Sequence, residues 1–255
     1  AKIAGNKRVI KVKNTQKIPP HNIYIIDGIN EEGEIKKRDR SPLIQFLLKP
    51  EVKPWIFCDS KERTKVLYRL LTDLGRKGYV LNSETTGEDW AKKFLADPDK
   101  FITDIKPDFM LLSPSGDSGL SSTLKQHFTH KISFFSGVLG TNSQHQAMFR
   151  LRDDSIPHYV FCPELSTVRN RSTPSNYSIN QLKDTLNNRI LQSALLASDC
   201  SDNPQKALEI ISQALNRNDP DWYGISIEMM ALDNYEMDNL RKCLIHSLKA
   251  TGHHV

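Results

Sequence analysis

The chain has 255 residues, 38% of them hydrophobic and 25% charged, with a net charge of +5, which is the make-up of an ordinary water-compatible protein with room for a large core in one or two domains. No apolar run approaches the roughly 20 residues that cross a bilayer, so a membrane partner is not expected. Four scattered cysteines with no C-x-x-C pair argue against a zinc site or a disulfide framework, and a reducing cytoplasm suits them.

The first 40 residues hold ten Lys/Arg against five Asp/Glu, which is the whole excess, because the remainder balances at 25 against 25. A basic leading segment suits a nucleic-acid backbone, or acts as a solubilising arm. Its start, Ala1-Lys2-Ile3-Ala4, has neither an initiator Met nor a signal-peptide core, so the sequence reads as a piece of something longer. Val9 to Val12 reads as an edge strand, Asn22 to Asp27 as a better strand ended by Gly28, and Glu31 to Arg40 as a charged turn or hairpin. Ser41 caps a helix that runs to about Lys49, with Pro42 in its first turn.

A regular alternation follows. Trp55 to Cys58 is a short apolar strand, and Asp59 or Ser60 caps a helix from Lys61 to about Leu74. Val66, Leu67, Leu70, Leu71 and Leu74 are its predicted buried stripe. Tyr79 to Asn82 is the next strand, followed by helices over Glu88–Leu95 and Pro98–Ile105. Phe109 to Leu112 is a strand with a long polar loop, Ser113 to Ser121. Ile132 to Phe135 is a strand, Thr141 to Arg152 a helix, and Pro157 to Cys162 a last strand. After a Ser/Thr/Asn-rich connector with Arg169 and Arg171, helices are predicted over Ile179–Ala197, Pro204–Leu215 and Pro220–Lys249, the last in one or two pieces.

Short apolar strands alternating with helices predict an α/β fold: a parallel sheet with helices on both faces, followed by a helical C-terminal region. The expected divisions are a basic segment and linker at 1–40, the α/β domain at 41–165 and a helical appendage at 166–255. In such sheets ligands bind outside the carboxyl ends of the strands, where Asp59-Ser60, Asn82-Ser83 and Ser113 to Ser121 should gather.

The candidate chemistry centres on Gln146-x-x-x-Arg150-x-Arg152. On the predicted helix, Gln146 and Arg150 share a face and Arg152 lies further round, near the helix end. Guanidinium groups fork onto phosphate oxygens, and such a cluster can neutralise charge on a transferring γ-phosphoryl group. No Gly-x-x-x-x-Gly-Lys-Ser/Thr loop occurs in these residues, and no Asp-Glu pair closes a strand. The nucleotide would then have to be gripped by something else.

Three blocks in order resemble the second RecA-like domain of a superfamily 2 helicase over roughly residues 40–165, including the origin-binding and cyanobacterial plasmid-replication helicases. Phe57-Cys58-Asp59-Ser60 resembles motif IV, Leu111-Leu112-Ser113-Pro114 through Gly119-Leu120-Ser121 resembles motif V, and Gln146-x-x-x-Arg150-x-Arg152 resembles motif VI. The resemblance implies a RecA-like three-layer fold in the C-terminal half of an ATP-dependent DNA helicase acting in replication. Arg150 and Arg152 would reach the γ-phosphate, one of them as arginine finger, and Gln146 would help close the cleft. Gly119 and Ser121 would couple the cleft to the nucleic-acid track. Ser60, Asn82, Ser113 and Pro114 would lie near the phosphates of single-stranded or origin DNA. ATP and Mg²⁺ would be held mainly by an N-terminal RecA-like partner domain. Phe149 stands where motif VI has Gly, and Asp153 where it has its second Arg, so Arg152 is offset by one place. Ser113 replaces a commoner Thr, and Ser121 a common Asp. The alternative reading is a non-enzymatic nucleic-acid-binding replication scaffold that keeps the fold.

Overall fold

The structure is a computed structural model that describes residues 19–29, 35–36, 39–116, 119–168, 175–199, 203, 205–206, 209 and 220–255. The expected strand Val9–Val12, the connector arginines and most of the expected helix Pro204–Leu215 lie outside the described residues.

Six strands form one all-parallel sheet: β1 (Ile23–Ile25), β4 (Pro54–Cys58), β5 (Gly78–Leu81), β6 (Phe109–Leu112), β7 (His130–Phe134) and β8 (His158–Phe161), in the order β1-β8-β7-β4-β6-β5. Between the first two of these in sequence, β2 (Gly28–Ile29) and β3 (Ile35–Lys36) pair antiparallel, the hairpin expected of the charged 31–40 stretch. The central strands β4 and β6 are buried at every position, as strands covered on both faces must be.

Helices α1 (Ser41–Leu47) and α2 (Lys61–Asp73) cover one face, packing Leu43, Leu47, Leu67 and Leu71 on Ile56, Leu111, Ile132 and Phe134. The other face carries α3 (Asp89–Ala96), α4 (Pro98–Ile105), α5 (Thr141–Met148) and the C-terminal α8 (Leu240–Ala250), whose Phe94, Ile102, Met148 and Leu244 meet Trp55, Phe57, Met110 and Val160. The expected α/β class with helices on both faces is therefore present.

Three local expectations are corrected. In α1 the Ser41 amide donates to Asp39 Oδ1 at 2.9 Å, so Ser41 is the first helical residue rather than the cap. In α2, Ser60 is the cap and accepts from the Arg63 amide at 3.4 Å, but the buried stripe is Thr64, Leu67 and Leu71, with Val66 and Leu74 exposed. Thr64 is tolerated inside because its hydroxyl donates to the Lys61 carbonyl at 2.6 Å. In α5 the helix stops at Met148, so Arg150 and Arg152 are not helical.

The chain divides into two compact units, Lys17–Val168 with Met237–Val255, and Ala1–Gln16 with Arg169–Glu236. Strand β1 joins the main sheet, and α8 buries Leu240, Leu244 and Leu248 in the main core. The smaller unit contains α6 (Ile179–Asp199) and most of α7 (Pro220–Asp238), joined by Leu182, Leu186, Ile227, Met230 and Ala231.

Candidate functional site

All six strands point the same way, so the loops after them share one rim. The helix after β4 covers one face and the helix after β7 the other. The crevice between these neighbouring strands is therefore the point where the connections diverge, and where such sheets usually admit a ligand. Here the chain fills it. The buried Asp59 carboxylate accepts the backbone N–H groups of Ser136 (2.6 Å), Gly137 (3.0 Å) and Val138 (3.2 Å), and the Ser136 hydroxyl at 3.0 Å. Successive amides converging on one carboxylate are an anion nest. Gly137 has φ +92°, and a Cβ there would overlap Ser166, so only glycine fits this turn.

The other predicted rim residues are likewise engaged. Ser60 caps α2. Asn82 is 2% exposed, and its Oδ1 accepts the amides of Glu84 (2.8 Å) and Thr85 (3.3 Å), closing the turn after β5. Ser113 is buried and its amide donates to the Leu81 carbonyl at 2.9 Å, whereas its Oγ has no hydrogen-bond partner among the described residues. Pro114 opens a 3₁₀ turn, Pro114–Gly116. The cation beside this rim is Arg63, 4.0 Å from Asp59 Oδ1, with a buried Nη1 that has no hydrogen-bond partner among the described residues. Burial chiefly, with repulsion from Arg40, draws its pKa down.

The predicted arginine site lies elsewhere in the same unit. After α5 the chain runs back toward the amino ends of the strands, bending at Arg150 and bridging at Leu151. The Ser122 amide donates to the Arg150 carbonyl and the Arg152 amide to the Ser122 carbonyl, both at 2.8 Å, so Leu151 and Ser122 form a parallel bridge. Leu151 is buried, Arg150 half-buried and Arg152 exposed. Arg150 Nη1 donates to the Leu120 carbonyl at 2.9 Å. The bridge therefore sets Ser122 beside Leu151, and the Arg150 side chain reaches back to Leu120. Gly119 has φ +88°, which favours glycine, and the buried Ser121 Oγ has no hydrogen-bond partner among the described residues. Gln146 is exposed in the last turn of α5. The structure thus joins the motif V-like and motif VI-like ends, and leaves Ser60, Asn82, Ser113 and Pro114 on the rim.

No family model matches the chain. An uncharacterized protein of Picosynechococcus sp. strain PCC 7002 is 35% identical over 71 residues, which is 28% of this chain and 7% of that protein. Among solved structures, T. fusca Cas3 with ATP is similar at TM-score 0.41 and 14% identity, over 94% of this chain and 30% of that one. The C-terminal domain of a possible DNA helicase from Lactobacillus plantarum is similar at TM-score 0.28 and 12% identity, over 60% of this chain and 79% of that one. The chain spans under a third of the length of the Cas3 chains it matches.

Two features escaped the sequence reading. Asp59 was visible as a polar residue after a strand, but nothing local marked its partners 77 to 79 residues away. Asp99, in the first turn of α4, accepts the Ser122 hydroxyl (2.5 Å), the Thr123 hydroxyl (2.6 Å) and the Thr123 amide (3.1 Å), and no motif pointed to it. Behind the arginines, Phe149 packs against His21, His145 and His253, with ring centroids 5.0, 4.9 and 4.5 Å away. Burial first, then the Lys131 charge for His21 and His145 for His253, pushes both His21 and His253 down to about 4. Lys131, fully buried, donates to the Asp153 carbonyl at 2.6 Å, lies 2.8 Å from His21 Nδ1, and is drawn down to about 8 by burial. Among the described residues no group of three or more His, Cys, Asp or Glu is placed to hold a metal, and no helix is long and apolar enough to cross a membrane.

Proposed function

We propose that this chain is the C-terminal half of an ATP-dependent DNA helicase acting in plasmid or origin replication. In this reading it offers Arg150 and Arg152 to a nucleotide held by a P-loop domain. The observation that carries it is the Ser122–Leu151 bridge, which with the Arg150 bond to Leu120 ties Leu120 and Ser122 to the arginine segment although about 30 residues of sequence separate them. A guanidinium entering from a second domain stabilises charge on the transferring phosphoryl group and raises turnover by on the order of 10³-fold or more. Arg152 is the better finger: it is exposed, whereas Arg150 spends one nitrogen on Leu120 and positions the loop. ATP and its Mg²⁺ belong mainly to the partner domain, and this chain's contribution is cationic. Gln146 stands at the exposed end of α5, where it would close on the nucleotide.

The single strand would cross the rim at Ser60, Asn82, Ser113 and Pro114. With the side chains of Ser60 and Asn82 already used, backbone groups and Arg63 would make more of the phosphate contacts. That same internal engagement favours a second reading, a non-enzymatic nucleic-acid-binding scaffold. Arg152→Ala in the full-length gene product separates the two. Loss of ATP hydrolysis with strand binding retained supports the helicase, and loss of binding alone supports the scaffold. The 255-residue chain by itself should hydrolyse no ATP, and turnover by it would refute the assignment.

A further inference from the structure

Segment 119–126 connects the rim to the arginines, and it is pinned at two places. Toward its end, the Gln126 amide donates to Asp153 Oδ2 at 2.9 Å and Lys125 pairs with Asp154 at 2.6 Å. At its middle the pin is Asp99. An acid in the first turn of a helix ordinarily serves that helix's own amides, but in α4 that task falls to Asp97, which accepts the Lys100 amide at 2.9 Å. The Asp99 carboxylate is left to reach across to Ser122 and Thr123. Ser122 is fully buried, and its backbone holds both Arg150 and Arg152. A direct chain of bonds therefore runs from Asp99 through Ser122 to the two arginines.

We infer that Asp99 is a positioning residue for the arginine pair: it fixes Ser122 and Thr123 against α4, and through Ser122 couples that anchor to the placement of Arg150 and Arg152. The inference rests on the helicase reading for its catalytic consequence, but its structural half stands on the bond network alone. Burial would raise the Asp99 carboxyl, but the bonds from Ser122 and Thr123 outweigh it and hold the pKa below the ordinary value, so the anchor stays ionised at neutral pH. Charge-assisted acceptance of this kind is about twice as strong as a neutral bond, and Asn cannot reproduce it.

The test uses two readouts. In the 255-residue chain, Asp99→Asn should speed amide exchange at Ser122 and Arg152 by tenfold or more, with β4 and β6 within twofold of the unaltered chain. In the full-length gene product it should lower strand-stimulated ATP turnover about tenfold, with KM for ATP and affinity for an oligothymidylate probe within twofold, because only the placement of the arginines has changed. Should Asp99→Asn not fold, Thr123→Val removes one of the same bonds and should give the same pattern at smaller amplitude. Unchanged exchange at Ser122 and Arg152, or a rise spread equally over the sheet, overturns the positioning role. Faster exchange confined to 122 and 152 with turnover unaffected overturns the coupling. Absence of ATP hydrolysis in the unaltered full-length gene product overturns the helicase reading instead, and the exchange result then still decides the anchor.

Discussion

The carboxyl rim of the sheet and the arginine-bearing segment belong to the same compact unit, yet they handle polar groups in opposite ways. At the rim the side chains turn inward and serve the backbone: Asp59 fills a nest of three amides, Ser60 caps α2, and Asn82 closes its own turn. Along 150–152 the backbone is satisfied by Ser122, and the Arg152 side chain is exposed. A polar residue after a strand is therefore weak evidence of ligand contact, because the loop itself has amides to satisfy. A cation whose main chain is already bonded is stronger evidence.

The contrast predicts that the rim is structural and the arginine segment is not. Asp59→Ala removes four acceptor contacts at once and leaves buried amides unsatisfied. At roughly 1–3 kcal/mol per orphaned group, partly relieved by entering water, the loss should be on the order of 3 kcal/mol in urea-induced unfolding. A loss under about 1 kcal/mol would mean that the nest is not holding the crevice, and the contrast would fail.

Acid should then separate the two regions. The segment behind Arg150 rests on Phe149 and the imidazoles of His21 and His253, which are held at about 4 in the folded chain against an ordinary 6.5. A histidine with a depressed folded pKa takes up protons on unfolding. Stability is therefore complete above about pH 6.5 and drains away as the pH falls toward 4. A decline of a few kcal/mol between those limits is expected, below the roughly 6–7 kcal/mol that two full shifts would give because water screens the rings in part. It should be flattened in a His21→Gln, His253→Gln double variant. The carboxylates held below their ordinary values, Asp99 and Asp153 among them, lose their contribution only as the pH falls past that range. Lys131 acts at the other end: with a folded value of about 8 against 10.5, it makes the chain more stable as the pH rises from 8 to 10. A flat profile between pH 6.5 and 4.5 would show that these imidazoles are solvated, contrary to the packing described.

Much of this was legible in the residues themselves, and what was not had a common cause. The strands Trp55–Cys58 and Phe109–Leu112 declared themselves as apolar runs between turn residues, and the helix start at Ser60-Lys61 as a cap signal. The end of α5 did not, because nothing near Phe149 says that its ring will be held between His21 and His253, more than 100 residues away on either side. The same holds for α8 and β1, which join the main unit through the buried Leu240, Leu244 and Leu248 and through pairing with β8, contacts between residues far apart in sequence. The contact of Arg150 with Leu120 was not read from the motif-like blocks, and the helical geometry assumed for Gln146 and Arg150 was wrong because α5 ends at Met148.

The smallest effects lie within the arginine pair. Arg150→Ala deletes the bond to the Leu120 carbonyl and part of a half-buried stem, for about 1 kcal/mol of stability. Arg152→Ala deletes an exposed side chain that makes no ion pair among the described residues, and should cost under about 0.5 kcal/mol. Its backbone bond to Ser122 survives the substitution, so the segment keeps its course. Equilibrium unfolding of the two variants side by side measures the difference. A near-silent Arg152→Ala is what a side chain kept for a partner requires, since a residue needed by the fold cannot also be free to leave it. If Arg152→Ala instead destabilises as much as Asp59→Ala, the guanidinium belongs to the architecture, and the scaffold reading gains the ground that the helicase loses.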